Sequence, residues 1–220
     1  MKKSAIFFQD HYRDIEKKIT KFLNNQPEFL SSRTAQSPRA VGDAIENIIV
    51  ENFGKIMGDL IKDYSSSFAR RAMADLAFTD KDDFYYIVDV KTHRLDTKFN
   101  MPNLTSVERI SRFYEDDKNH FVILNVAYNI SGSTAKIKKV TFAPIEFLSW
   151  DCLTLGALGW GQIQIANSNH ITVVPKNSSK KWMLELCDNL FEFYPKEIGK
   201  ITERIKHFKK IQRYWKNKKE

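Results

Sequence analysis

Asp75, Asp89 and Lys91 are the residues whose types and spacing could do chemistry together. They lie in two short runs, A-D-L-A-F (74–78) and F-Y-Y-I-V-D-V-K (84–91), with a charged turn from Thr79 to Asp83 between them. The first run alternates in polarity and the second is aromatic and β-branched, so the pair reads as a β-hairpin with Asp75 on its first strand. Side chains alternate across a strand, which puts Asp89 and Lys91 on one face and Val88 and Val90 on the other. With Asp75 beside them, two carboxylates and an ammonium converge at the end of a sheet. That grouping suits a divalent cation and a poised water, as phosphodiester hydrolysis requires.

The flanking elements must hold this hairpin in place. Ser37-Pro38 reads as an N-cap followed by a first-turn proline, opening a helix to about Tyr64 with a bend at Gly54 or Gly58. At about 100° per residue, Glu46 falls within its apolar stripe, in line with Val50, Phe53 and Met57. A carboxylate there either snorkels at the edge of the stripe or points into the metal site. Residues 4–24 read as an amphipathic helix, residues 24–36 as a loop, and Tyr64 to Arg71 as a polar approach to the hairpin. After Lys91 a basic, amide-rich loop leads to a short helix over 104–114. F-V-I-L-N-V-A-Y (121–128) is apolar on both faces, as a central strand requires. Further strands are expected at 136–143, 162–166 and 170–174, while the glycine-rich 145–160 stays unassigned. From Ser178 the chain reads as helical and broken at Pro195, with the apolar stripe Ile205, Phe208, Ile211 and Trp215 serving as core packing.

At 220 residues the chain suits a single domain, 1–220, of mixed α/β class. A net charge of +8 and a pI near 9.3 favour a polyanionic partner without identifying one. Cys152 and Cys187 stand in no ligand spacing and read as reduced thiols of a cytoplasmic protein. The first ten residues carry too short an apolar run for a secretory signal, and no segment approaches a membrane span. Zinc spacings, phosphate-cradling glycine loops and hydrolase elbows are missing from the sequence.

Asp75 and Asp89-Val90-Lys91 match the pattern written PD-(D/E)-x-K, with Ala74 where the proline often stands. A preceding helix with a G-x-x-x-E pattern (Gly42, Glu46) strengthens the match. The chain resembles the type II restriction endonucleases of that superfamily. The stretches that carry the likeness are A-V-G-D-A-I-E-N-I-I, the hairpin itself, M-P-N-L-T-S, W-G-Q-I-Q-I and the aromatic, basic C-terminal helices. Outside the hairpin it is only a few residues at a time.

The resemblance implies a restriction-endonuclease-like mixed central β-sheet flanked by helices. Asp75, Asp89 and the Val90 carbonyl would bind Mg2+, with Mn2+ as a substitute, and Lys91 would orient or deprotonate a water. Glu46 would play a supporting or second-metal role. The implied activity is sequence-specific hydrolysis of double-stranded DNA by a homodimer, leaving 5′-phosphates and blunt ends at a short palindrome. A cognate methyltransferase is implied functionally, not as a bound partner. Asn100 and Asn103 would approach bases, since amides both donate and accept, although both equally suit a turn beside Pro102. Gln162 and Gln164 share a strand face that either supports the cleft or is simply polar. Arg70, Arg71, Arg94 and Lys98 are the phosphate contacts expected around the site. His93 is expected to face solvent. A structure-specific or repair nuclease of the same fold, or a non-catalytic DNA-binding protein, remains the alternative.

Overall fold

A computed structural model describes residues 3–26, 30–65 and 74–219. The chain divides into two compact units, Met1–Ser178 and Ser179–Glu220. The first is a mixed α/β unit built on a five-stranded sheet. Its strands are β1 (Ile61–Ser65), β2 (Leu76–Asp80), β3 (Tyr85–Arg94), β5 (Asn119–Ser131) and β6 (Thr134–Pro144). They lie in the order β1-β2-β3-β5-β6. Among the described strands of this sheet, β3 and β5 are the one neighbouring pair that runs parallel, in register from Tyr85↔Asn119 to Arg94↔Tyr128. A parallel pair needs a long crossover, and here it carries β4 (Asn103–Ser106) and helix α5 (Val107–Phe113). A second, antiparallel sheet is ordered β4-β8-β7, with β7 at Leu153–Gly156 and β8 at Gln162–Ile165.

The expected hairpin forms because its turn is internally satisfied. Asp80 is buried, its Oδ1 accepts the Asp82 and Phe84 amides, and its Oδ2 accepts the Tyr86 hydroxyl at 2.6 Å. Tyr86 in turn stacks on Phe78 with ring centroids 4.5 Å apart. Tyr86, Val88 and Val90 then join Val122, Leu124 and the helices in one core, leaving Asp89 and Lys91 on the opposite face of β3.

Helix α4 (Pro38–Met57) starts as expected, with the Ser37 side chain accepting the Ala40 amide and proline in the first turn. It ends seven residues earlier than expected, because Gly58 turns the chain at φ +55° and Tyr64 belongs to strand β1. Gly42 sets its distance from the sheet: a Cβ there would come within 2.5 Å of Thr92 Oγ1 on β3. The first expected helix is split in two, α1 (Ala5–Phe8) and α2 (His11–Asn24), by Asp10 at φ 64°. Asn24 exchanges two hydrogen bonds with the Ile137 backbone and Glu16 accepts the Phe142 amide, so α2 covers the outer edge of β6. Within the expected 24–36 loop, a one-turn helix α3 forms at Ser32–Ala35.

Two other expectations give way to tertiary context. Residues 104–106, expected to open the short helix, belong to strand β4 instead, and the Ser106 side chain caps α5 by accepting the Arg109 amide. Residues 170–174 form no strand, only a bridge between Leu148 and Val173. The unassigned 145–160 supplies two 3-10 turns and β7.

The second unit is one helix, α6 (Ser179–Asn217), which continues through Pro195. Trp182 and Leu186 are buried, but every residue from Ile198 to Lys219 is exposed, so the stripe expected to pack as core does not. Both cysteines are free, Cys152 buried and Cys187 exposed. Among the described residues no helix is long and apolar enough to cross a membrane.

Candidate active site

The β2–β3 ladder ends at Leu76↔Val88, so the next opposed residues are Asp75 and Asp89. Asp75 therefore lies just ahead of its strand rather than within it. Its amide donates to the Val88 carbonyl at 3.0 Å, and its Oδ2 accepts the Val90 amide at 2.6 Å. One carboxylate thus caps the backbone where the two strands part. Asp89 is 5% exposed, and its Oδ1 accepts Lys91 Nζ at 2.7 Å. Its Oδ2 is buried and has no hydrogen-bond partner. Buried carboxylate oxygens are normally satisfied, so this orphan calls for an explanation.

Burial is the main reason the Asp89 carboxyl is pushed up to about 7; Lys91 opposes the shift, and the Asp75 and Glu46 charges add to it. Those last two influences locate Glu46 as well as Asp75 within electrostatic reach of Asp89. A cation brought to this spot would relieve all three effects at once.

Among the described residues no group of three or more His, Cys, Asp or Glu side chains is arranged to hold a metal ion. The set at hand is smaller: two opposed carboxylates, one with an unpaired buried oxygen, and Glu46 nearby. Mg2+ fits such a set, because it keeps several waters and needs only one or two carboxylates with substrate phosphate.

The residues expected at DNA are distributed unevenly. Asn103 and Gln164 are register partners across β4 and β8, and Gln164 Nε2 donates to Asn103 Oδ1 at 2.6 Å. Gln162 and Gln164 do share a face, with Ile163 and Ile165 buried on the other. The Asn100 carbonyl accepts the Ser168 amide at 2.8 Å, tying the loop after β3 to the chain beyond β8. Arg94 places Nε and Nη2 on Asp96 Oδ2, and Lys98 is exposed. Arg70 and Arg71 lie outside the described residues.

His93 does not face solvent. It is 1% exposed, with Nε2 at 2.8 Å from Asn169 Oδ1. Asn169 Nδ2 donates to the Thr97 and Lys98 carbonyls, so this pair clasps the loop that leaves β3. In the sequence Asn169 is one of two asparagines in the run A-N-S-N-H (166–170), and no local signal sets it apart. The expectation of a solvent-facing His93 is overturned: strand β3 continues to Arg94 and carries His93 into buried surroundings.

A second carboxylate was also missed. Glu146 is fully buried, with Oε1 at 2.8 Å from His120 Nδ1 and Oε2 accepting the Tyr114 hydroxyl. Burial, reinforced by Glu146, raises the Tyr114 hydroxyl well above the usual tyrosine range, keeping it a donor. These residues are scattered over 114–146 with no spacing that would announce them.

No protein-family model matches the chain, and no curated protein matches it at a significant level.

Proposed function

We propose that this chain is a Mg2+-dependent endonuclease that hydrolyses phosphodiester bonds in double-stranded DNA, as a type II restriction enzyme does. The observation that carries the reading is the meeting of Asp75 and Asp89 at the parting of β2 and β3, with Lys91 bound to one Asp89 oxygen and the other left unpaired. Pure scaffolding does not require a half-satisfied buried carboxylate beside a second one. Asp75 and Asp89 would hold the Mg2+, with the Val90 carbonyl as a further oxygen, and Mn2+ would substitute. When bound, the ion supplies neutralisation of phosphate charge and a lowered pKa for water.

The chain's own residues do the rest. Asp89 Oδ1 fixes the Lys91 ammonium at the site, where it orients the attacking water and stabilises charge on the phosphate oxygens. Glu46 adds negative charge from α4 and supports cation binding. The bond broken is that to the 3′ oxygen, leaving a 5′-phosphate. The amides on the Asn103–Gln164 face and the Asn100 loop would approach base edges, with Arg94 and Lys98 nearer the backbone. The net charge of +8 favours this partner.

One centre cuts one strand, so a homodimer acting on a short palindrome, with blunt ends, completes the reading. Incubating the chain with supercoiled plasmid and Mg2+ should give discrete linear fragments, with nothing cut by Asp89→Ala or in chelator. Equal activity of Asp89→Ala would sink the assignment. Cutting of branched DNA alone would instead point to a structure-specific nuclease.

A further inference from the structure

Helix α6 carries a seam of mostly apolar side chains that lie exposed. Leu184, Phe191, Ile198, Ile205 and Gln212 follow one another at seven-residue steps, and so do Cys187, Tyr194, Ile201, Phe208 and Trp215. Together they alternate three and four residues apart, the a and d positions of a heptad. Phe191 is 73% exposed, Ile198 65% and Phe208 66%. A strict a/d seam is narrower than the face by which a helix joins a globular core, and its 3.5-residue period keeps facing only another helix. From Ile198 to Asn217 every side chain is exposed over about five turns. Helices gain most of their stability from packing, so such a stretch calls for a partner.

We propose that α6 pairs with α6 of a second copy of this chain as an antiparallel coiled coil. Charge selects the second copy and the direction. Glu185, Asp188, Glu192 and Glu197 dominate the first half of the seam, whereas Arg204, Lys206, Lys209, Lys210, Arg213 and Lys216 dominate the second. A parallel pair would set lysine beside arginine through the whole second half. An antiparallel pair lays the acidic half along the basic one.

A two-fold axis between Gly199 and Lys200 brings every layer into register. Ile198 then meets Ile201 of the other copy, Tyr194 meets Ile205, Phe191 meets Phe208, and Leu184 meets Trp215. The polar Gln212 falls opposite Cys187, a small side chain. At the flanking e positions Asp188 comes alongside Lys209, and neither makes an ion pair within its own chain among the described residues. Pro195 occupies an e position, so its ring stays outside the a/d layers. This pairing does not depend on the nuclease reading.

Light scattering on the full chain, at tens of micromolar, should give twice the 25.7 kDa of one protomer. The double variant Ile198→Glu/Ile201→Glu, altered only at exposed positions, should halve that mass while keeping its fold by circular dichroism. A monomeric wild type, or a variant that stays dimeric, would overturn the proposal. So would a wild-type chain that stays monomeric until anionic vesicles or DNA capture it through the seam. Oxidation reads the direction. The paired helices hold the two Cys187 thiols roughly 38 Å apart at 1.5 Å per residue, so the wild type should not cross-link. Gln212→Cys should give a disulfide-linked dimer. A wild type that cross-links through Cys187 would mean a parallel pair and refute the register.

Discussion

Asp89 and Glu146 are both buried carboxylates on the same sheet unit, and the fold treats them in opposite ways. Glu146 has each oxygen occupied, one by His120 Nδ1 and one by the Tyr114 hydroxyl, and the tyrosine also accepts the Phe121 amide. Asp89 has one oxygen on Lys91 and the other on nothing, with two more carboxylates close enough to repel it. With His120 on one oxygen and Tyr114 on the other, Glu146 ties the end of α5 and the turn after β6 to β5. Asp89 carries a cost that the protein's own atoms do not offset. A buried acid that is fully bonded belongs to the architecture, whereas one left half-bonded beside others marks a place where something else completes the set.

The contrast breaks first if mutation fails to separate activity from stability. Asp89→Ala should lower Mg2+-dependent cleavage by roughly 10³-fold or more, a loss of several kcal/mol in transition-state stabilisation. A plasmid-nicking time course measures this, and the melting temperature should not fall. Glu146→Ala should do the reverse. Stranding His120 and Tyr114 should cost about 3–5 kcal/mol and lower the melting temperature by roughly 10 °C, while molecules that remain folded still cleave.

The pH dependence sharpens the difference. Asp89 titrates near 7 in the fold and near 3.9 when unfolded. Between those values the unfolded chain has lost a proton that the folded chain keeps, so stability falls as pH rises. Compared with Asp89→Asn, the wild type should lose about 1.4 kcal/mol per pH unit across that window and level off above it, about 4 kcal/mol in all. Urea titrations of both proteins at pH 4.5 and 7.5 test the sign, and added Mg2+ should narrow the gap at the higher pH. The smallest effect belongs to the exposed amide pair: Asn103→Ala should change stability by less than about 1 kcal/mol, measured in the same titrations, because water replaces Gln164 as its partner.

Much of the site was legible because it is local. Alternation placed Asp89 and Lys91 on one face whatever the rest of the chain did, and a two-strand ladder needs only its turn to bring Asp75 opposite. The long β5 and the start of α4 were legible for the same reason, one from an unbroken apolar run and the other from a cap followed by proline. His93 and Asn169 were not, because their contact spans seventy-six residues. Glu146 carries no local signal either, because the fold alone brings Tyr114 and His120 to it.

The stripe at Ile205, Phe208, Ile211 and Trp215 shows the boundary most clearly. Its periodicity settled that the segment is helical and one-sided, since those follow from backbone geometry at 3.6 residues per turn. It did not settle what the apolar side meets, because an inward face and an outward seam have nearly the same spacing. By itself, then, the sequence determined local geometry: which residues share a face, where helices begin, and where acid and lysine come into reach. Only the tertiary structure decided which charges are dry, which are bonded and which hydrophobic face is left bare, because burial is a property of everything packed around a residue and not of its neighbours in the chain.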